Sequence, residues 1–167
     1  MKRIFLIAIT LIMTVLCNNS CGRKQDNVVM SVDFNEEMWH RFDYLDAVYN
    51  IQKAPMTADL VMYVTVSEVF PNIYPYGNDD GMFAITMTIN NPDGSRRSRE
   101  YKFRLKDSEG HFKSEKVEGY YNYELPLINE MSFSEVGEYS FKIENKYSKD
   151  PLYGIKSLTI KCLQIKH

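Results

Sequence analysis

Met82-Phe83-Ala84-Ile85-Thr86-Met87-Thr88-Ile89-Asn90, followed by Asn91-Pro92-Asp93-Gly94 and then by Arg99-Glu100-Tyr101-Lys102-Phe103-Arg104-Leu105-Lys106, is the stretch that decides the fold class. In the first run Phe83, Ile85, Met87 and Ile89 alternate with Ala84, Thr86 and Thr88, the period of two that places one face of a strand on a core. The middle four residues make a turn: proline presets φ, aspartate bonds its own backbone, and glycine accepts positive φ. In the last run Tyr101, Phe103 and Leu105 are expected to face inward, and Glu100, Lys102, Arg104 and Lys106 to face water.

The same grammar extends in both directions. Further strands are expected at Val28 to Phe34, Asp46 to Gln52, Leu60 to Val69, Val117 to Ile128, Gly137 to Lys146 and Ile155 to Ile165. Pro126 should place its strand at an edge or end it early, because proline donates no ladder hydrogen bond. Asn35 to Tyr44 has room for one short turn of helix; past residue 22 no longer stretch keeps a 3.6-residue period. About eight short strands in a chain without a disulfide framework predict an all-β fold, a two-sheet antiparallel β-sandwich. Ser134-Glu135-Val136-Gly137-Glu138-Tyr139 is similar to the tyrosine corner of immunoglobulin-like sandwiches. That favours an immunoglobulin-like arrangement over a jelly-roll, with a small closed barrel as the alternative.

The amino terminus sets the compartment. Lys2 and Arg3 precede an apolar run from Ile4 to Leu16, roughly 20 Å long as a helix and too short for a hydrocarbon core of about 30 Å. It reads as the h-region of a secretory signal. Asn18-Asn19-Ser20-Cys21-Gly22 follows, with a small residue before a cysteine just past the run, where a bacterial lipoprotein is cleaved and acylated. Cys17 follows bulky Leu16 and fits less well, so Cys21 is the expected lipid attachment site; an ordinary cleaved signal with a free cysteine after it is the alternative. The expected organisation is a lipoprotein signal peptide over 1–20, a tether over 21–27 and a single β-sandwich domain over 28–167. Removing 20 of 167 residues leaves about 147, enough for one domain to bury close to 70% of its unfolded surface.

Twenty Lys+Arg against 22 Asp+Glu give a formal net charge of -2, which argues against a nucleic-acid partner. With Cys17 removed and Cys21 acylated, Cys162 has no partner for a disulfide and reads as a buried small hydrophobe. His40, His111 and His167 are scattered, no metal site or cofactor is expected, and the carboxylate pairs Glu36-Glu37 and Asp43 with Asp46 carry no catalytic signature. The Arg96-Arg97-Ser98-Arg99 cluster reads as a solvated hairpin end. The candidate partner or ligand surface is the connection Phe70 to Gly81, where Tyr74 and Tyr76, stiffened by Pro71 and Pro75, adjoin Asn78, Asp79 and Asp80. Packed against the sandwich, the same residues would be a structural plug. Asn78, Asp79 and Asp80 lack the spaced acidic ladder of a calcium loop. Trp39, the only tryptophan, reads as a core anchor, with stacking on a sugar as the lesser role.

In order, these features resemble the gliding motility-associated lipoprotein family GldH over nearly the whole chain past the signal. Phe34 and Trp39 open it, Tyr74-Pro75-Tyr76-Gly77-Asn78 follows the third strand, and Tyr101 with Leu105-Lys106-Asp107 leads to Gly110. Phe133 precedes Gly137-Glu138-Tyr139, Ile143-Glu144 follows, and Asp150-Pro151-Leu152-Tyr153-Gly154-Ile155 introduces the last strand. The pattern departs at Asp79-Asp80-Gly81-Met82 and at His111-Phe112. The resemblance implies a cell-envelope lipoprotein associated with surface gliding and its companion protein-export system, with no catalytic residues to carry over. Its partners would be the membrane, through lipid on Cys21, and other envelope proteins of a motility or secretion apparatus. Gly22-Arg23-Lys24 lacks the acidic run of a surface-export tag, so the domain is expected to face the periplasm. The functional expectation is a non-catalytic interaction or scaffold module. The alternative is a glycan- or small-ligand-binding sandwich in which Trp39, Tyr74 and Tyr76 lie together on one exposed surface.

Overall fold

A computed structural model describes residues 27–71 and 82–165. Eleven strands follow in chain order: β1 (Val28–Asp33), β2 (Met38–Trp39), β3 (Leu45–Ile51), β4 (Met56–Val66), β5 (Met82–Asn90), β6 (Arg96–Arg104), β7 (Lys116–Val117), β8 (Tyr120–Phe133), β9 (Gly137–Asn145), β10 (Leu152–Tyr153) and β11 (Ile155–Gln164). A single 3-10 turn at Asn35–Glu37 occupies the place expected for a short helix. One sheet has the order β1-β11-β4-β8-β7, the other β3-β9-β5-β6, and β10 pairs with β2 in a small third sheet. All pairings are antiparallel. The fold is an antiparallel β-sandwich, as the alternation predicts.

The pairings are nested about the Asn91 to Gly94 turn. β5 pairs with β6 across it, β4 with β8, β3 with β9, β2 with β10 and β1 with β11. Apart from β2 with β10 in the small sheet, successive pairs fall alternately in the two large sheets, so the chain behaves as one long hairpin folded over a common core. β4 shows why that core forms: Leu60, Met62, Val64 and Val66 share one face and are all fully buried. Phe83, Ile85, Met87 and Ile89 of β5 are buried in the same cluster. Burying each such side chain is worth about 1.5–3 kcal/mol.

Trp39 is 1% exposed, 5.2 Å from Phe34 and 6.4 Å from Phe83 between ring centroids. Its indole N–H donates to the Asp43 carbonyl at 2.7 Å, which satisfies its one polar group. The Tyr139 hydroxyl bonds back four residues, donating to the Glu135 carbonyl at 3.2 Å, so it ties down the preceding loop as that sequence motif requires. Pro126 does not end its strand. β8 runs on to Phe133 with Pro126 opposite Val61 beside register shifts. Its other flank carries only β7, which pairs at Tyr120 and Tyr121, so among the described residues no ladder bond is lost on that side.

Two ends can be told apart on β11. At one, the Cys162 N–H donates to the Asn27 carbonyl at 2.6 Å, which fixes where the chain enters the sandwich. At the other, the Ser67 N–H donates to the Gly154 carbonyl at 2.8 Å, and Phe70 lies against Gly154. Eight residue steps of extended chain, about 26 Å, separate Gly154 from Cys162.

Gly154 holds the Phe70 end closed. Its φ is +75°, and a Cβ there would meet the Phe70 Cα at 2.8 Å and collide with the Phe70 backbone nitrogen. Gly94, at φ +82°, has open space around it. Gly154→Ala should therefore destabilise the protein by about 2–5 kcal/mol through combined strain and overpacking. Gly94→Ala should cost only about 1–2 kcal/mol, the left-handed penalty alone. Chemical denaturation of the two variants side by side checks the difference; equal losses would show that the Phe70 backbone yields.

Candidate functional site

The Phe70 end is the base from which the connection between β4 and β5 departs, and it is built from buried polar contacts on an aromatic floor. After β4, Phe70 turns back with its N–H donating to the Ser67 carbonyl at 3.1 Å. Its ring is buried edge-on to Phe83, with centroids 6.5 Å apart. The Phe70 carbonyl accepts from the Lys106 ammonium at 2.6 Å. That ammonium also stands 4.2 Å from the Phe112 ring centroid, and Phe112 stacks on Tyr121 at 3.7 Å.

Lys106 is 2% exposed, where alternation predicts a solvated side chain. The reason is local. β6 ends at Arg104, and Leu105 and Lys106 then bend together into the core as Lys106 bridges to Phe112. Once the strand stops, neighbours no longer point to opposite faces. Burial pushes the Lys106 ammonium below its ordinary pKa, and the Phe70 carbonyl and Phe112 ring compensate its charge.

A second clamp holds the same end. The Glu37 carboxylate accepts from the Ser67 hydroxyl at 2.5 Å and from the Tyr120 hydroxyl at 2.9 Å. The Ser67 bond is the main reason its pKa lies below the usual carboxylate value, with burial opposing and Tyr120 and Lys156 assisting. Glu37 therefore ties the 3-10 turn to the end of β4 and the start of β8, a structural task for one member of the Glu36-Glu37 pair.

The remaining sequence candidates are dispersed. His40 Nδ1 lies 3.6 Å from Asp150, and His111 Nδ1 lies 3.4 Å from Asp107 and 3.5 Å from Glu109. Among the described residues no group of three His, Cys, Asp or Glu side chains is placed to hold a metal ion. Asp43 serves through its carbonyl as the Trp39 partner. Cys162 is buried beside Tyr49, as expected of a small hydrophobe; burial pushes its thiol up to about 11. Burial of Trp39 removes it from any sugar-stacking surface, so the three-aromatic platform with Tyr74 and Tyr76 does not form. Cys21, Tyr74, Tyr76, Asn78, Asp79 and Asp80 lie outside the described residues, as does His167.

The GldH lipoprotein family model matches residues 28–162, from the first residue of β1 almost to the end of β11. The chain belongs to the GldH lipoprotein family. Membership makes it a lipoprotein associated with gliding motility and held at a membrane by lipid. No curated protein matches the chain. Among solved structures, a family 35 carbohydrate-binding module from Clostridium thermocellum is similar at 10% identity, covering 80% of this chain and 98% of the module, with a TM-score of 0.35. An exo-β-1,3-galactanase from Phanerochaete chrysosporium, solved with galactose, is similar at 10% identity over 78% of this chain and 29% of the enzyme, TM-score 0.31. An uncharacterized protein from Listeria monocytogenes is similar at 11% identity over 83% of this chain and 11% of that one, TM-score 0.27.

Sequence reasoning missed Lys106 and the inward phase of Arg97 and Arg99. The second was available: both arginines share the parity of Tyr101, Phe103 and Leu105, the expected inner face of their strand.

The environment of Cys162 gives a pH signature for this GldH domain. A thiol whose folded pKa stands near 11, against 9.0 ordinarily, stabilises the fold in its neutral form. That contribution is complete below about pH 9 and is lost as pH rises toward 11, an effect of about 2–3 kcal/mol. Cys162→Val should flatten the fall in stability between pH 9 and 11 relative to wild type. Iodoacetamide at pH 8 should label Cys162 of the wild type, followed by peptide mapping, only after denaturation. Rapid labelling of the folded protein would mean that the thiol is accessible.

Proposed function

We propose that this GldH lipoprotein is a non-catalytic interaction module, anchored by lipid on Cys21, whose Tyr74 to Asp80 segment meets other envelope proteins of a motility or secretion apparatus. The observation that carries the reading is the separation of the two ends of the sandwich. The chain enters at Asn27, beside Cys162, while Pro71 leads out of the opposite end, beside Gly154. The six residue steps from Cys21 to Asn27 reach at most about 20 Å. Lipid on Cys21 would therefore keep the Asn27 end within that distance of the bilayer and leave the Phe70 end, the far one, open to a partner.

The base of the segment suits such a role. Phe70 is fixed by Lys106, Gly154 and Phe83, so the point where the chain leaves β4 for that segment is held in place. Exposed Val69 precedes it. Gly22-Arg23-Lys24 after the lipid site, without an acidic run, supports a domain facing the periplasm. Membership of a lipoprotein family, rather than of an enzyme family, supports the non-catalytic part of the reading.

Crosslinking and recovery from native membranes tests it. Wild type should bring down a specific set of envelope proteins, Tyr74→Ala/Tyr76→Ala should lose them at equal abundance, and Cys21→Ala should leave the membrane fraction. Identical recovery from the double variant, or no specific recovery from membrane-bound wild type, would refute the contact role of the segment.

A further inference from the structure

At the open side of the sandwich β6 carries an inner face that changes character along its length. Tyr101, Phe103 and Leu105 continue toward the core, but the two preceding positions of the same phase are Arg97 and Arg99, opposite Ile89 and Met87 of β5. Met87 and Ile89 are buried at 2% and 1% exposure. Together with Ile128 from β8 in the facing sheet, these residues line a cleft of about 290 Å³ between the two sheets. That is the lower end of the range occupied by small-molecule sites.

Three observations converge there. Arg97 and Arg99 are exposed, and among the described residues neither joins a salt bridge. The Arg99 guanidinium stands 5.2 Å from the Tyr101 ring centroid. Among the described residues the Tyr101 hydroxyl is buried with no hydrogen-bond partner, in a residue only 7% exposed. Leaving a buried hydroxyl unmatched costs about 1–3 kcal/mol, and native proteins rarely leave one so. Burial raises the phenol pKa while the charges of Arg99 and Arg97 pull it down, so both cations act on the hydroxyl itself.

Charged residues on the inner phase of an edge strand also guard against edge-to-edge pairing, and β6 is an edge of its sheet. That role accounts for the arginines. It accounts neither for the apolar cleft beside them nor for a buried hydroxyl held without a partner.

We propose that this cleft is a binding site for a small organic acid, with its apolar body on Met87, Ile89 and Ile128 and its oxyanion held by Arg97, Arg99 and the Tyr101 hydroxyl. The chemistry is matched at each point. A guanidinium pair prefers a planar oxyanion, the phenol supplies the donor that the ligand-free protein leaves unused, and the floor excludes a purely polar ion such as phosphate. The site uses no residue of the Tyr74 to Asp80 segment and does not depend on its role.

Octanoate is the probe, titrated into the full-length protein and followed by 1H–15N NMR and thermal unfolding, with octanol and inorganic phosphate as controls. Saturable shifts confined to β5, β6 and Ile128 are expected with octanoate and not with either control. Tyr101→Phe should unfold no earlier than wild type without ligand, since it removes an unmatched hydroxyl, yet bind octanoate at least tenfold more weakly. Arg97→Ala/Arg99→Ala should lose saturable binding. Equal octanoate affinity in Tyr101→Phe and wild type, or no saturation at millimolar octanoate, would overturn the proposal. So would a Tyr101→Phe midpoint several degrees below wild type without ligand, because the hydroxyl would then have a structural partner. Arginine-dependent binding to phosphatidylglycerol vesicles in a protein that ignores octanoate would also overturn it, by reducing the arginines to a surface contact.

Discussion

The two large sheets are joined by apolar burial across one interior, and every other feature of this GldH lipoprotein depends on that contact. The inward faces of β4 and β5 supply Leu60, Met62, Val64, Val66, Phe83, Ile85, Met87 and Ile89, all nearly inaccessible to solvent. The one cysteine among the described residues is a free, buried thiol, so among them no covalent staple shares the task. A domain of this kind must then be large enough for its core to suffice, and nested pairing serves that need. Each strand pair added outside the last extends the same interior rather than starting another.

Nested pairing also separates the two ends of the molecule. Chain entry, the Asn91 to Gly94 turn and the connection between β3 and β4 gather at one end, while the connections running through Phe70, Lys106 and Gly154 gather at the other. The second end is where the sandwich accepts buried polarity. Lys106 enters the interior because a carbonyl and an aromatic face receive it, and Glu37 accepts two hydroxyls that fasten three separate segments. Such contacts add little net stability compared with the core, but they restrict how the end can rearrange.

Much of this was legible in the residues. The strict alternation of Met82 to Asn90 and the turn chemistry of Asn91-Pro92-Asp93-Gly94 specify a hairpin without reference to the rest of the chain, because pleat and turn are local properties. The strand from Met82 to Asn90 was located to the residue, Trp39 was recognised as a core anchor, and Tyr139 as the tie for its preceding loop. Lys106 escaped because alternation holds only while the strand continues, and nothing in Leu105-Lys106-Asp107 announces that β6 has already ended. Of the two outcomes expected for Pro126, the edge is the one that holds: β8 continues past it, and its missing donor faces a flank that carries no neighbour there.

The sequence by itself determined the class of the protein. Its local periods specify strands, its turns specify where they reverse, and the order of its features specifies a GldH lipoprotein, since each of these is written in neighbouring residues. Only the tertiary structure decided that β1 lies beside β11 and β3 beside β9, that Lys106 is buried, and that Arg97, Arg99 and Tyr101 meet Ile128 across the open side of the sandwich. Those pairings join residues that are far apart in the chain, and they follow from how two apolar faces close over one interior, which no local pattern encodes.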